Sequence, residues 1–132
     1  MEGTCQVCNR LLKLRKGLLV QHGYIRPGTG YIERPCLGTK KPPYEESCET
    51  CREYLKSLQG SLANIQEYLN QLTSGEIKEL YTLVKYTTSS PGWTSALSTE
   101  ISDTKYRIRV LEAEVARVTK RIEDWSLKRV GC

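Results

Sequence analysis

Four residues near the N-terminus have the types and spacing to do chemistry: Cys5, Cys8, His22 and Cys36. The pattern is Cys-x2-Cys-x13-His-x13-Cys, and His22 is the only histidine in the chain. A Cys-x2-Cys pair puts two thiolates on one turn, close enough to share a tetrahedral ion at about 2.3 Å per Zn–S bond. Three thiolates and one imidazole fill the four positions of zinc, and a filled site is structural. A rival set exists. Cys48-x2-Cys51 stands at the start of a helical pattern, and a knuckle, a hairpin and a helix opening on Cys-x2-Cys would use Cys5, Cys8, Cys48 and Cys51. Against the rival, Cys48 and Cys51 also continue an apolar helical stripe, where cysteine serves as a small core residue.

Catalysis finds little to work with. A metal-dependent nuclease needs an open metal position and a general base. The lone histidine is taken, and the only carboxylates among residues 1–43 are Glu2 and Glu33. Gly28-Thr29-Gly30 reads as a turn and not as a phosphate loop. The expectation is a protein that is not an enzyme.

These ligands need elements to position them. Leu18 to Gln21 and Tyr31 to Glu33 read as short strands around Arg26-Pro27-Gly28-Thr29-Gly30, where proline and glycine set the two central dihedrals of a turn. A hairpin of 18–25 with 30–34 would bring His22 to Cys36. Pro42-Pro43 marks the exit. Beyond it, Cys48, Cys51, Leu55, Leu58, Leu62, Ile65, Leu69 and Leu72 repeat at three and four, a heptad seam. A helix over about 44–72 follows, on the order of 40 Å long at 1.5 Å per residue. Ser74 looks like the N-cap of a second, short helix over 76–86, with Ile77, Leu80, Tyr81 and Val84 on one face. A last helix over about 95–128 carries the seam Leu97, Ile101, Thr104, Ile108, Leu111, Val115, Val118, Ile122 and Trp125. Thr104 is its one polar member. The fold class expected is α+β, mostly α: a zinc-stapled β-hairpin head over 1–43, then a helical hairpin or coiled-coil arm over 44–132. The C-terminal helix could alternatively pair with its copy in a homodimer.

Composition agrees with two thin cores. The 132 residues include no phenylalanine, eight tyrosines and two tryptophans, and 39% are hydrophobic. A small head then needs a metal. Met1 to Thr4 has no basic leader, and no segment approaches the roughly 20 apolar residues of a membrane span. A cytoplasmic location is expected, where thiols stay reduced and bind metal. The net charge of +5 is concentrated at one end. Arg10, Lys13, Arg15, Lys16, Arg26, Arg34, Lys40 and Lys41 oppose only Glu2 and Glu33 in the head. Such a surface attracts nucleic acid or an acidic protein; the bland alternative is a solvated face. Arg10, Lys13, Arg15, Lys16, Arg26 and Arg34 are the expected contact residues, with Tyr31 beside the turn to stack on bases. Tyr24 is expected to fold inward over the knuckle.

The head also resembles a known group. Cys5-x2-Cys8, Leu19-Val20-x-His22-Gly23-Tyr24-x-Arg26-Pro27-Gly28-x-Gly30-Tyr31-Ile32, Cys36-x-Gly38 and Pro43-Tyr44-Glu45-x-Ser47 are similar to a family of small zinc-finger-like proteins. Those proteins are encoded mainly by bacteriophages and bacterial mobile elements. The resemblance covers about the first 50 residues and implies a Cys, Cys, His, Cys ligand set and zinc as the cofactor. Cys51 does not belong to that pattern. The expected function is a zinc-binding interaction protein in a bacterial host cell, its basic head contacting nucleic acid or an acidic protein and its arm contacting protein. The alternative is an inhibitor of a host defence complex, in the manner of an anti-CRISPR protein.

Overall fold

A computed structural model describes residues 1–25 and 32–130. The chain is α+β, with small antiparallel sheets and, among the described residues, two helices, the second one long. Strands β1 (Glu2–Thr4), β2 (Leu11–Arg15) and β3 (Leu18–Leu19) form a meander in the order β1-β2-β3. Leu12 and Leu14 face the core while Leu11, Lys13 and Arg15 face solvent, the period of two that a half-buried strand requires. Arg15 pairs with Leu18, so Lys16 and Gly17 are a two-residue turn with φ of 55° and 80°. Positive φ at both central residues matches the twist of the flanking strands.

Strand β4 (Gly23–Ile25) pairs with β5 (Ile32–Pro35), Gly23 opposite Pro35. The expected hairpin is therefore half right. Its inner part exists, but Leu18 and Leu19 pair with β2 instead. The link is that Leu11–Arg15 alternates strictly and the Lys16-Gly17 turn returns the chain at once.

Helix α1 spans Glu49–Ser74, five residues later than the expected start at Tyr44. The backbone of Tyr44 is spent elsewhere: its N–H donates to Thr4 O at 2.7 Å, and its carbonyl accepts from the Trp125 indole at 2.7 Å. Glu46 and Ser47 N–H groups turn back to Pro43 O. The helix ends at Gly75, φ 85°, with the Glu76 N–H reaching back to Gln71 O at 3.1 Å. A left-handed residue there leaves only glycine unstrained.

No helix follows over 76–86. Strands β6 (Glu79–Tyr81) and β7 (Lys85–Thr87) form a hairpin instead. Ile77, Leu80, Tyr81 and Val84 match a helical period, yet only Leu80 is buried, and Tyr81 and Val84 are exposed. The segment is too short to repay helix nucleation, and Tyr81, Thr82, Tyr86 and Thr87 favour a pleated backbone. Helix α2 runs Trp93–Val130. Every expected seam position from Leu97 to Trp125 is buried or half-buried, Thr104 and Val118 completely so.

The contacts divide the chain into two units: Met1–Ser57 with Ala116–Cys132, and Leu58–Val115. The boundary at 43/44 read from the sequence falls inside the first. The first unit has its core around Cys5, Val7, Cys8, Leu19, Tyr24 and Cys36. Tyr24 faces inward there, its ring tilted against Tyr54 at 6.2 Å. The second unit holds β6, β7 and lengths of both helices, and Tyr68 Oη donates to Glu100 Oε1 at 3.2 Å.

Candidate metal centre

The first ligands sit on a tight turn between β1 and β2. The Cys5 N–H bonds Arg10 O at 2.9 Å and the Asn9 N–H bonds Cys5 O at 3.2 Å, with Asn9 at φ 64°. Asparagine is among the few residues that tolerate this conformation. Inside the turn the Val7 N–H points at Cys5 Sγ at 3.4 Å. Such an N–H···S contact favours thiolate over thiol.

A second turn repeats the first without its last ligand. Cys36 starts it, Thr39 stands where Cys8 would, and Lys40 takes φ 59° where Asn9 takes 64°. A side chain at Gly38 would collide with Cys5 Sγ, so the turn closes over the sulfurs only with glycine. Thr39 Oγ1 accepts from His22 N–H at 3.3 Å and lies 3.2 Å from His22 O, to which it donates. The Cys36 N–H also bonds His22 O at 2.9 Å, across the start of the β4–β5 ladder. The ligand that the second turn lacks is thus supplied by the histidine it clamps.

The outcome is one cluster. Sγ of Cys5, Cys8 and Cys36 and a ring nitrogen of His22 all lie within 4.8 Å of one another. Cys5 Sγ and Cys36 Sγ are 3.7 Å apart, and a tetrahedron with bonds of 2.3 Å has an edge of about 3.75 Å. The His22 Nδ1 lies 2.7 Å from Val20 O, which fixes the ring and leaves Nε2 as the lone-pair nitrogen. Nε2 is buried with no hydrogen-bond partner. A buried acceptor left unpaired beside three sulfurs is what a cation would satisfy. The thiols are already uneven. Hydrogen bonds from Cys36 and Cys5 hold Cys8 well below the usual thiol range. Hydrogen bonds with Cys5 and Cys8 push Cys36 well above it. A divalent cation lets all three ionise together. These four residues can therefore hold a metal ion.

Cys48 and Cys51 lie outside the cluster. Both are fully buried, and burial next to Cys48 pushes Cys51 up to about 12. Cys51 donates its thiol to Gln6 O at 3.2 Å and its N–H to Gln6 Oε1 at 3.1 Å. The pair serves the core under the knuckle, as its place in the heptad seam suggests.

Sequence reasoning missed the shell around the knuckle. Gln6 is fully buried and satisfied at both ends, its Nε2 donating to Pro42 O at 2.7 Å. Two arginines from the end of α2 collect the carbonyl oxygens on the knuckle's outer side. Arg117 Nη2 donates to Val7 O at 2.8 Å, and Arg121 donates to Gln6 O at 3.1 Å and Cys5 O at 2.9 Å. The Arg121 guanidinium lies 3.7 Å over the Tyr44 ring, and Tyr44 Oη donates to Arg121 O at 2.6 Å. Only Trp125, at the last seam position, hinted at this contact.

The expected binding residues separate. Arg10 is half-buried and donates to Gly23 O, beside the second ligand turn, and its Nε is buried with no hydrogen-bond partner. Its guanidinium would offset part of the negative charge that three thiolates leave on a bound divalent ion. Lys13, Arg15 and Lys16 are exposed on β2 and its turn. Arg26 and Tyr31 lie outside the described residues, as does the side chain of Arg34. No helix among the described residues is long and apolar enough to cross a membrane. No known protein family matches this chain, and comparisons with characterised proteins and with solved structures return no match either.

Proposed function

We propose that the chain is a non-enzymatic zinc protein of the phage or mobile-element kind, working in the cytoplasm of a bacterial host as an interaction module for an anionic partner. The observation that carries the zinc reading is the set of four ligand atoms within 4.8 Å, with His22 Nε2 buried and otherwise unpaired. Three sulfurs and one imidazole suit zinc over hard cations, which take oxygen ligands. The ligand set leaves no open position, so the ion stabilises the fold and does not activate water. The motif around His22-Gly23-Tyr24 and Cys36-x-Gly38 supports the phage-type origin. The exposed cations of β2 and its turn support an anionic partner. Zinc per chain, measured by elemental analysis on reduced protein, tests the centre. One equivalent is expected for the wild type and for Cys51→Ala, and none retained by His22→Ala. Equal zinc in all three would overturn the ligand set.

A further inference from the structure

Among the described residues, three other than glycine take positive φ: Asn9, Lys16 and Lys40. Asn9 is the residue type expected there. The two lysines are not. In the left-handed region a Cβ crowds the following carbonyl, and glycine or asparagine relieves it. Lys16 occupies the first position of a two-residue hairpin turn, where asparagine, aspartate or glycine is the usual choice. Lys40 occupies a bulge. Its N–H bonds Leu19 O at 2.8 Å while Leu19 N–H bonds Lys41 O at 3.0 Å, so two residues face one, and the left-handed residue at such a place is normally glycine. The chain keeps a cation at two sites where its backbone asks for another residue.

Both sites flank the same strand. Lys16 lies two positions before β3, and Lys40 bonds the backbone of Leu19 on β3. Arg15 pairs with Leu18 across the ladder, and Lys13, Arg15, Lys16, Lys40 and Lys41 are all exposed. Among the described residues none of these five has an ion-pair partner. Glu2, opposite Lys13 on β1, is the one acid in register with them. The turn from Cys36 to Lys40 and the β2–β3 hairpin are held together by backbone hydrogen bonds at Leu19, so the cations lie on joined elements.

Strain retained at exposed positions points to function. We infer that Lys16 and Lys40, with Arg15 and Lys41, bind the phosphate backbone of nucleic acid without reading its sequence. This deepens the anionic-partner reading above and rests on it. Phosphates recur at fixed intervals and accept point-charge contacts from lysine, so exposed cations without ion-pair partners among the described residues, on adjoining turns, suit them. An acidic protein would instead need shape and apolar complementarity around its charges.

The test uses the full-length, zinc-loaded chain and the double variant K16G/K40G. Glycine suits both backbones, so the melting temperature of the variant is expected to hold or rise, with zinc content unchanged. Affinity for a 20-base-pair duplex, titrated against salt, is expected to fall about tenfold, and the slope of log K against log salt to drop by about two. A control, K56Q/K105Q, removes the same charge from exposed helix positions and is expected to keep the wild-type slope. An unchanged slope in K16G/K40G, or an equal drop in the control, overturns the assignment to these lysines. Wild-type binding to polyglutamate and not to DNA at low salt overturns nucleic acid while leaving an anionic partner. Absence of zinc from the wild type would instead strike the reading beneath it.

Discussion

The two units of this chain solve the same problem by different means. Both are small, and neither buries a large apolar core. The unit of Met1–Ser57 with Ala116–Cys132 is held by directed contacts. Thiols converge, Gln6 satisfies three neighbours, and arginines bond three successive carbonyls. The unit of Leu58–Val115 relies on a file of seam residues and a two-stranded hairpin. Its buried side chains are Leu58, Leu72, Leu80, Thr104, Ile108 and Glu114. Directed polar contacts are all-or-none, because each buried group left unpaired costs its full desolvation. Apolar seams degrade gradually, by about 1 kcal/mol for each methylene or two removed. The first unit should therefore fail abruptly and the second by degrees.

Withholding a metal from the four ligands is expected to give the largest difference. A strong zinc chelator, or His22→Ala, is expected to abolish protection of residues 1–25 in amide hydrogen exchange while the 58–115 amides keep theirs. Zinc contributes on the order of 10 kcal/mol to small domains of this kind. Equal loss in both units would erase the contrast. Gln6→Leu comes next. It leaves the buried Cys51 N–H and the half-buried Pro42 O without partners, a cost of about 2–4 kcal/mol in chemical denaturation. Arg121→Met removes two hydrogen bonds and the stacking over Tyr44. A loss of about 1–3 kcal/mol is expected, with faster exchange over 116–127 and zinc content unchanged.

The second unit should show a milder response. Thr104 is fully buried in the seam, and Arg107 donates to its hydroxyl at 3.3 Å. Thr104→Val is expected to shift stability by less than about 1 kcal/mol in either direction. Light scattering on the same variant checks whether the hydroxyl fixes the helix partner, because a polar seam residue often does. The smallest effect concerns Glu45. Partial burial pushes its carboxyl up, but the Thr4 N–H at 2.8 Å wins and holds it below the ordinary value. The stability it adds is present above the unfolded carboxylate range and is lost as pH falls through its folded pKa. Glu45→Gln should flatten the acid limb of the melting curve slightly, leaving neutral pH almost unchanged.

What could be read in the sequence follows the reach of each contact. Cys5 and Cys8 announce themselves by spacing, and His22 and Cys36 by a hairpin that joins them. The heptad seams located the buried face of both helices because a helix encodes its own period. Strand β2 was legible in principle, since Leu11 to Arg15 alternates, but its basic residues read as surface alone. Residues 76–86 misled because four apolar positions fit a helix, although Gly75 and the β-branched residues argued otherwise. The knuckle's outer shell was not legible. Arg117 and Arg121 stand more than a hundred positions from the carbonyls they bond, and nothing in their local pattern separates them from Lys120 or Arg109. The half-buried place of Arg10 and its bond to Gly23 O were not legible either, since one positive charge looks the same whether it meets solvent or a carbonyl.

Cobalt substitution tests the centre most directly. Cobalt(II) added to the reduced, metal-free chain should saturate at one equivalent. Strong visible d–d bands should mark a tetrahedral site, and thiolate charge-transfer bands should match three sulfurs. Weak octahedral bands, four-thiolate intensity that survives His22→Ala, or no saturable binding would contradict the Cys5, Cys8, His22 and Cys36 centre.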